Sequence, residues 1–225
     1  MSHTVFFDLD GTLTDPKPGI TRCVQYALDR LGHAVPHVDE LTWCIGPPLQ
    51  QSFHRLVGES HAAAALDLYR QRFSDVGLYE NTVYPQVHES LRALADAGIR
   101  LHVASSKPQV YVDRILDHFD LRACFDQVFG SELDGTRADK TELLRYALAK
   151  TRADPATATM VGDREHDAIG AFRNGLGFVG VLYGYGSAQE LKCVGAMRFV
   201  RTPSELATEL RLSPPAGITR PDPSA

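Results

Sequence analysis

The sequence predicts an α/β fold of three layers, a parallel sheet sandwiched between helices, with an α-helical cap inserted near its start. Three observations carry this prediction. From about residue 84 onward, short apolar runs alternate with amphipathic stretches, the pattern of right-handed βαβ units and a sheet covered on both faces. Before that, residues 16 to 83 show helical periodicity and no convincing β-run. The first apolar run, Val5 to Phe7, also stops in two carboxylates and a glycine, Asp8-Leu9-Asp10-Gly11. Polar chemistry thus appears at the carboxyl end of a strand, where open α/β sheets bind ligands.

The elements follow in order. After the opening strand, Asp15-Pro16-Lys17-Pro18-Gly19 is a break, and Ile20, Val24, Ala27, Leu28 and Leu31 then recur at helical spacing until Gly32. Residues 39–57, interrupted by Gly46-Pro47-Pro48, and residues 62–73 read as further helices. Past Tyr84-Pro85 the pattern becomes helix 87–97, strand 99–104, helix 109–119, strand 127–130, helix 140–149, strand 159–161, helix 166–174 and strand 178–182. A Phe199-Val200 piece and a helix over 204–210 complete the series. The expected division is an α/β core of residues 1–15 and 84–212, a helical cap of 16–83 and a flexible tail of 213–225, where Pro214, Pro215, Pro221 and Pro223 cluster.

Composition narrows the class. A length of 225 residues, 44% of them hydrophobic, suffices for one large domain or for a domain carrying a smaller insert. A net charge of −5 without a Lys/Arg cluster on any expected helix argues against a nucleic-acid polymer as partner. Cys23, Cys44, Cys124 and Cys193 are scattered with no CxxC pair, so neither a zinc site nor a disulfide framework is signalled. No basic segment leads into an apolar signal, and no charge-free run of about 18 apolar residues occurs, so no membrane association is expected. These features fit a cytoplasmic protein, as monomer or homodimer.

The strand ends form one chemical set. Asp8 and Asp10 follow the first strand and Ser105-Ser106-Lys107-Pro108 the second. Lys140 opens a helix beyond the third, and Gly162-Asp163 with Asp167 follows the fourth. Asp8 and Asp10 stand i, i+2; on a continued strand their repulsion would be about 4 kcal/mol at 4 Å and an effective dielectric near 20. Alone, the pair also fits a strand end running into an Asx turn. Asp163 and Asp167, read on a helix, lie i, i+4 on one face and call for a cation. Carboxylate and water ligands beside a phosphate favour Mg2+. The lysine and hydroxyls suit a phosphoryl group. Singly, Ser105 and Ser106 could be turn formers, Lys140 a solvated lysine and Asp163 an N-cap; their coincidence at successive strand ends argues for a site.

The segments FFDLDGTLTD, VASSKP, DGTRADK and VGDREHDAIGA resemble, in order and spacing, the four motifs of the haloacid dehalogenase superfamily. The likeness is to its phosphatase branch, in the phosphoglycolate phosphatase-like group with a helical cap, and covers residues 4 to 210. The resemblance implies a Rossmann-like core and Mg2+-dependent hydrolysis of a small-molecule phosphomonoester. Asp8 would be the nucleophile that forms an aspartyl-phosphate and Asp10 the general acid and base. Mg2+ would be held by the Asp8 carboxylate, the Asp10 backbone carbonyl and Asp163, with Asp167 arranging its water. Ser105 and Lys140 would bind phosphoryl oxygens, assisted by Ser106 and by backbone N–H groups at Gly11 and Thr12. Asp10 would have to start protonated, through a pKa raised by neighbouring carboxylates. Its presence separates the chain from dehalogenases, which lack that acid. GLYENTVYP, DGTRADK and YGYGS look like the group named either phosphoglycolate phosphatase or 5'-nucleotidase. A sugar phosphomutase shares the cap and Ser105-Ser106-Lys107 and is the alternative within the superfamily; a non-catalytic binding module is the alternative from another class.

Substrate choice is expected in the cap. Lys17, Arg22, Trp43, Arg55, Tyr69 and Arg72 are candidates, although Tyr69 and Trp43 are also read as cap core and Arg55 and Arg72 as solvated helix faces. Gly46-Pro47-Pro48 is either a rigid turn aimed at the site or a helix break. Gln86 stands where relatives often carry Gly. His54, His88, His102 and His166 lack metal-ligand spacing and are expected in surface or core positions.

Overall fold

A computed structural model describes residues 3–212; the expected flexible tail lies outside the described residues. Six strands form the main sheet: β1 (Thr4–Phe7), β4 (Arg100–Pro108), β5 (Gln127–Ser131), β6 (Ala158–Gly162), β7 (Gly177–Val181) and β8 (Phe199–Val200), in the order β5-β4-β1-β6-β7-β8. All pairings in it are parallel. β1 is therefore central, flanked by β4 and β6, and the residues that follow these three strands meet above one edge.

Alternation on β1 builds the layers. Val5 and Phe7 enter one core with Leu94, Val112, Ile115 and Val179. Phe6 enters the opposite core with Leu143, Leu144, Met160 and Phe178. The helices covering the sheet are α4 (Val87–Asp96), α5 (Gln109–His118) and α9 (Pro203–Leu212) on the first face, and α6 (Lys140–Thr151) and α7 (Glu165–Arg173) on the second. A one-residue slip of β1 would exchange these fully buried faces. Each Phe stabilises its register by about 1.5–3 kcal/mol of burial.

Between β2 (Thr14–Asp15) and β3 (Thr82–Val83) lies the helical insertion: α1 (Lys17–Arg30), a 3-10 helix Val38–Cys44, α2 (Leu49–Val57), α3 (Glu59–Arg72) and a π-helical turn Phe73–Gly77. Its apolar side, including Ile20, Phe53, Tyr69 and Phe73, is continuous with the first core. Four details differ from the sequence reading. The stretch 38–44 is 3-10 rather than α, because Pro47 and Pro48 leave too short a run for an α-helix. β2 and β3 pair antiparallel, Thr14 with Val83 and Asp15 with Thr82, where the chain enters and leaves the insertion; two-residue strands carry no readable period. β4 continues past Ala104 through Ser105-Ser106-Lys107 to Pro108, with a register shift between Ala104 and Pro108. A short α8 (Ala188–Cys193) was also not anticipated.

His102 lies on β4 at 1% exposure, its ring 5.2 Å from that of Phe6. Burial pushes its pKa down to about 4, so it is a neutral core residue, in keeping with its expected role. Gln86, just before α4, has φ 70° and an exposed side chain without a capping bond. The left-handed conformation costs a residue with a Cβ about 1–2 kcal/mol, partly offset in glycine by its larger unfolded-state entropy. Gln86→Gly is accordingly expected to stabilise the fold by up to about 1 kcal/mol, read as an upward shift of the urea midpoint. A lower midpoint would show that the Gln86 side chain contributes to the hinge.

Candidate active site

Asp8 and Asp10 stand just beyond β1, in a turn closed by N–H groups of Thr12, Leu13 and Thr14 donating to the Leu9 carbonyl. Gly11 belongs there for two reasons: its φ is 79°, and a Cβ would lie 2.3 Å from Asp163 Oδ2. The amides of Gly11 and Thr12 donate within the turn, to Thr14 and Leu9 carbonyls at 2.8 and 3.3 Å. The turn thus engages both amides expected to face phosphoryl oxygens, and what Gly11 supplies is the close approach to Asp163.

Asp163 follows β6 and precedes α7, whose first turn holds Asp167. The two are therefore not stacked on one helix as their spacing predicted, since the strand runs on to Gly162 and the helix starts only at Glu165. Single oxygens of Asp8, Asp163 and Asp167 nonetheless all lie within 4.8 Å of one another. Gly162 permits this, because a Cβ there would sit 2.3 Å from the Asp167 carboxyl carbon. Asp163 Oδ2 accepts the Tyr185 N–H at 2.7 Å and Asp167 Oδ2 the Arg164 N–H at 3.2 Å. Each carboxylate is oriented by a backbone amide, and Asp163 Oδ1 remains buried without a hydrogen-bond partner.

Lys140 opens α6, which is capped by the Asp139 side chain accepting the Glu142 N–H at 3.1 Å. Its Nζ lies 3.0 Å from Asp8 Oδ1, 2.8 Å from Asp167 Oδ1 and 2.8 Å from the Ala104 carbonyl. Burial alone would lower the Lys140 pKa, but Asp167 and Asp8 outweigh it and hold the pKa above its usual value. Ser105 is 2% exposed beside this group. Ser106 lines the cleft between core and insertion, and its carbonyl accepts the Ser131 hydroxyl at 2.8 Å. Six residues singled out from sequence, Asp8, Asp10, Ser105, Lys140, Asp163 and Asp167, are thus buried around the ends of β1, β4 and β6.

Lys107 is the site residue that sequence reasoning passed over. Its Nζ is 2.8 Å from Asp10 Oδ2, with both side chains under a tenth exposed. Burial raises the Asp10 pKa above its ordinary value; Lys107 pulls it down and Asp8 adds a smaller upward push. The expected cause, neighbouring carboxylates, is therefore secondary to desolvation. Burial likewise raises Asp163, with help from Asp167 and Asp8, and raises Asp167 to about 6 against the pull of Lys140.

Charge and donor type test whether a metal fits. Four buried carboxylates, Asp8, Asp10, Asp163 and Asp167, face two buried ammonium groups, Lys107 and Lys140, leaving an excess of two negative charges if all are ionised. One divalent cation matches that excess, an all-oxygen set suits a hard ion, and the unpartnered Asp163 Oδ1 offers a ligand. The residues fit Mg2+.

The insertion covers the cleft. Arginine-to-carbonyl bonds cross it: Arg70 to Leu133, Arg114 to Ser74 at 2.7 Å, and Arg164 to Ile45 at 2.5 Å. Gly46-Pro47-Pro48 lines the cleft against Arg164, so it is a turn aimed at the site rather than a mere helix break. Of the cap candidates only Tyr69 lines this cavity. Lys17 pairs with Asp39, Arg22 and Arg72 pair with Glu80, and Arg55 stacks on Trp43. His54 and His166 face a recess beside Lys140 that adjoins the cleft and shares Gly46, Pro48 and Ser106 with it. Phe73 and Arg70 reach the cavity unannounced, because helical periodicity marks a buried face without saying whether protein or cleft covers it.

Among the described residues no helix is long and apolar enough to cross a membrane. Residues 5–181 match the haloacid dehalogenase-like hydrolase family. A protein named 5'-nucleotidase from Pseudomonas aeruginosa is 48% identical over 190 residues, covering 84% of this chain and 86% of its own. A phosphoglycolate phosphatase from Colwellia psychrerythraea is 24% identical over 219 residues, covering 93% of this chain and 97% of its own. The crystal structure of a predicted phosphatase from Clostridium acetobutylicum superimposes with a TM-score of 0.91 at 41% identity, covering 95% of this chain and all of that one. With the motif residues gathered at the carboxyl edge of a six-stranded parallel sheet, these likenesses show that the chain belongs to the haloacid dehalogenase-like hydrolase family.

Proposed function

We propose that the protein is a Mg2+-dependent phosphomonoesterase acting on a small phosphorylated metabolite through an aspartyl-phosphate, in the manner of a phosphoglycolate phosphatase or a 5'-nucleotidase. The observation that carries this reading is the charge arrangement: three carboxylates able to share one cation, with a buried lysine bridging two of them and a separate acid, Asp10, beside the nucleophile. Asp8, Asp163 and Asp167, with the Asp10 carbonyl, would hold Mg2+. When bound, it neutralises phosphate charge that would otherwise repel an attacking carboxylate.

The chain's own residues divide the work. An Asp8 oxygen bonds to phosphorus as the ester P–O bond breaks. Lys140 and the Ser105 hydroxyl hold the equatorial oxygens as charge spreads over them. Asp10 gives its proton to the departing oxygen, then takes one from the water that attacks phosphorus and breaks the bond to Asp8, releasing inorganic phosphate. Burial favours the protonated Asp10 that the first step needs. The insertion excludes bulk water from the covalent stage.

Phosphate release from para-nitrophenyl phosphate with Mg2+, and its loss in EDTA, tests the reaction class; no metal-dependent release would overturn it in favour of a binding module. A panel of 2-phosphoglycolate, nucleoside monophosphates, glucose 1-phosphate and phosphotyrosine then assigns the substrate. Isomerised sugar phosphate without free phosphate would indicate a mutase.

A further inference from the structure

Lys107 has no part in the steps above, yet it is placed at the reacting centre. It lies on the extended end of β4, its side chain 8% exposed, and the residue lines the cleft together with Asp10, Tyr69, Phe73 and Tyr111. The ammonium stands 2.8 Å from Asp10 Oδ2 and 4.7 Å from the centroid of the Phe73 ring, which belongs to the insertion. Beyond the ion pair, this buried Nζ makes no well-formed hydrogen bond among the described residues. Nearby in the lining, Tyr69 and Phe73 stack on each other, and the Arg70 guanidinium is bonded to the Leu133 carbonyl.

The geometry points to Lys107 as a specificity-determining residue that reads an anionic group, a carboxylate or a second phosphate, carried by the leaving group within a few bonds of the ester oxygen. This inference rests on the phosphatase reading above. Asp10 addresses the ester oxygen, so a partner of the ammonium 2.8 Å from Asp10 must lie on the leaving-group side of phosphorus, away from Lys140. A buried ammonium with unused donors in an apolar chamber binds an anion strongly, because water does not compete there. Contact with Phe73 brings the insertion into the same binding position.

The test compares substrates that differ only in that group: 2-phosphoglycolate, ethyl phosphate, which lacks the carboxylate, and 2-hydroxyethyl phosphate, which carries a neutral hydroxyl. Wild-type protein with Mg2+ is expected to prefer 2-phosphoglycolate over ethyl phosphate in kcat/KM by about 10- to 100-fold, the worth of a charged hydrogen bond. Lys107→Met should shrink that ratio at least tenfold, and Lys107→Arg should keep most of it. A ratio taken on one preparation is insensitive to the folded fraction, so poor folding of a variant does not mimic the result. An unchanged ratio in Lys107→Met, a wild type without the preference, or an equal loss on 2-hydroxyethyl phosphate would overturn the assignment. Failure of the wild type on para-nitrophenyl phosphate would instead overturn the phosphatase reading itself.

Discussion

Asp8→Asn is expected to lower kcat by a factor on the order of 10^4–10^6, the usual consequence of deleting a catalytic nucleophile, while raising thermal stability in metal-free buffer. The two effects come from one carboxylate. Asn keeps the shape and an oxygen that can still accept from Lys140 Nζ, now 3.0 Å from Asp8 Oδ1. A neutral amide, however, does not attack phosphorus. Removing this charge also relieves repulsion, since Asp8 pushes up the pKa of Asp10, Asp163 and Asp167. The gain should be on the order of 1 kcal/mol, roughly 2–4 °C in Tm for a chain of this size. Single-turnover assays and thermal melts in EDTA check both. Activity within tenfold of wild type would remove Asp8 from the nucleophile position, and a lower Tm would show that its bond to Lys140 outweighs the repulsion.

That opposition of charges explains why so much of the site could be read from the chain and where the reading stopped. Asp8, Asp163 and Asp167 stand where parallel strands deliver residues, and strand ends are visible in sequence because apolar runs stop there. Lys107 stands in an equally informative place, but Ser105-Ser106-Lys107-Pro108 resembles a turn, and only the continuation of β4 to Pro108 carries the ammonium to Asp10. The i, i+4 spacing of Asp163 and Asp167 pointed to a shared cation for a reason that the fold replaces. Their oxygens meet because Gly162 lets the Asp167 carboxyl fold back against β6, a tertiary approach with no periodicity. In the insertion, Ile20, Tyr69 and Phe73 share the spacing of core residues, and core they are. That Phe73 also faces the cleft depends on how the insertion sits over the sheet, where its apolar side joins the first core and arginine-to-carbonyl bonds from Arg70, Arg114 and Arg164 span the two. Carbonyl acceptors leave no signature in side-chain sequence.

Lys140→Met should act oppositely to Asp8→Asn on stability while also damaging catalysis. The side chain is 3% exposed and its ammonium lies within 3.0 Å of Asp8, Asp167 and the Ala104 carbonyl. Removing one member of a buried charge cluster typically costs about 3–5 kcal/mol, because the partners stay behind uncompensated. Here the imbalance would grow from two negative charges to three. The Tm in EDTA should fall accordingly, and Mg2+ should restore more stability to the variant than it adds to wild type, since without the ammonium beside Asp8 and Asp167 the cation binds more tightly and stabilisation grows with the logarithm of its concentration over Kd. Catalysis should drop by about 10^2–10^3 in kcat, the range for losing one preorganised donor to the developing charge. Lys140→Arg is expected not to rescue. Gly170 packs so closely that a Cβ there would approach Lys140 Cγ to 2.8 Å, and a planar guanidinium fork cannot reproduce a point charge with three converging acceptors. Melts with and without Mg2+, alongside kcat on a saturating substrate, separate the two contributions. If the variant keeps its metal-free Tm, Lys140 is not balancing Asp8 and Asp167. If stability falls but kcat holds, the lysine is a structural counter-charge and the phosphoryl oxygens are held by other groups.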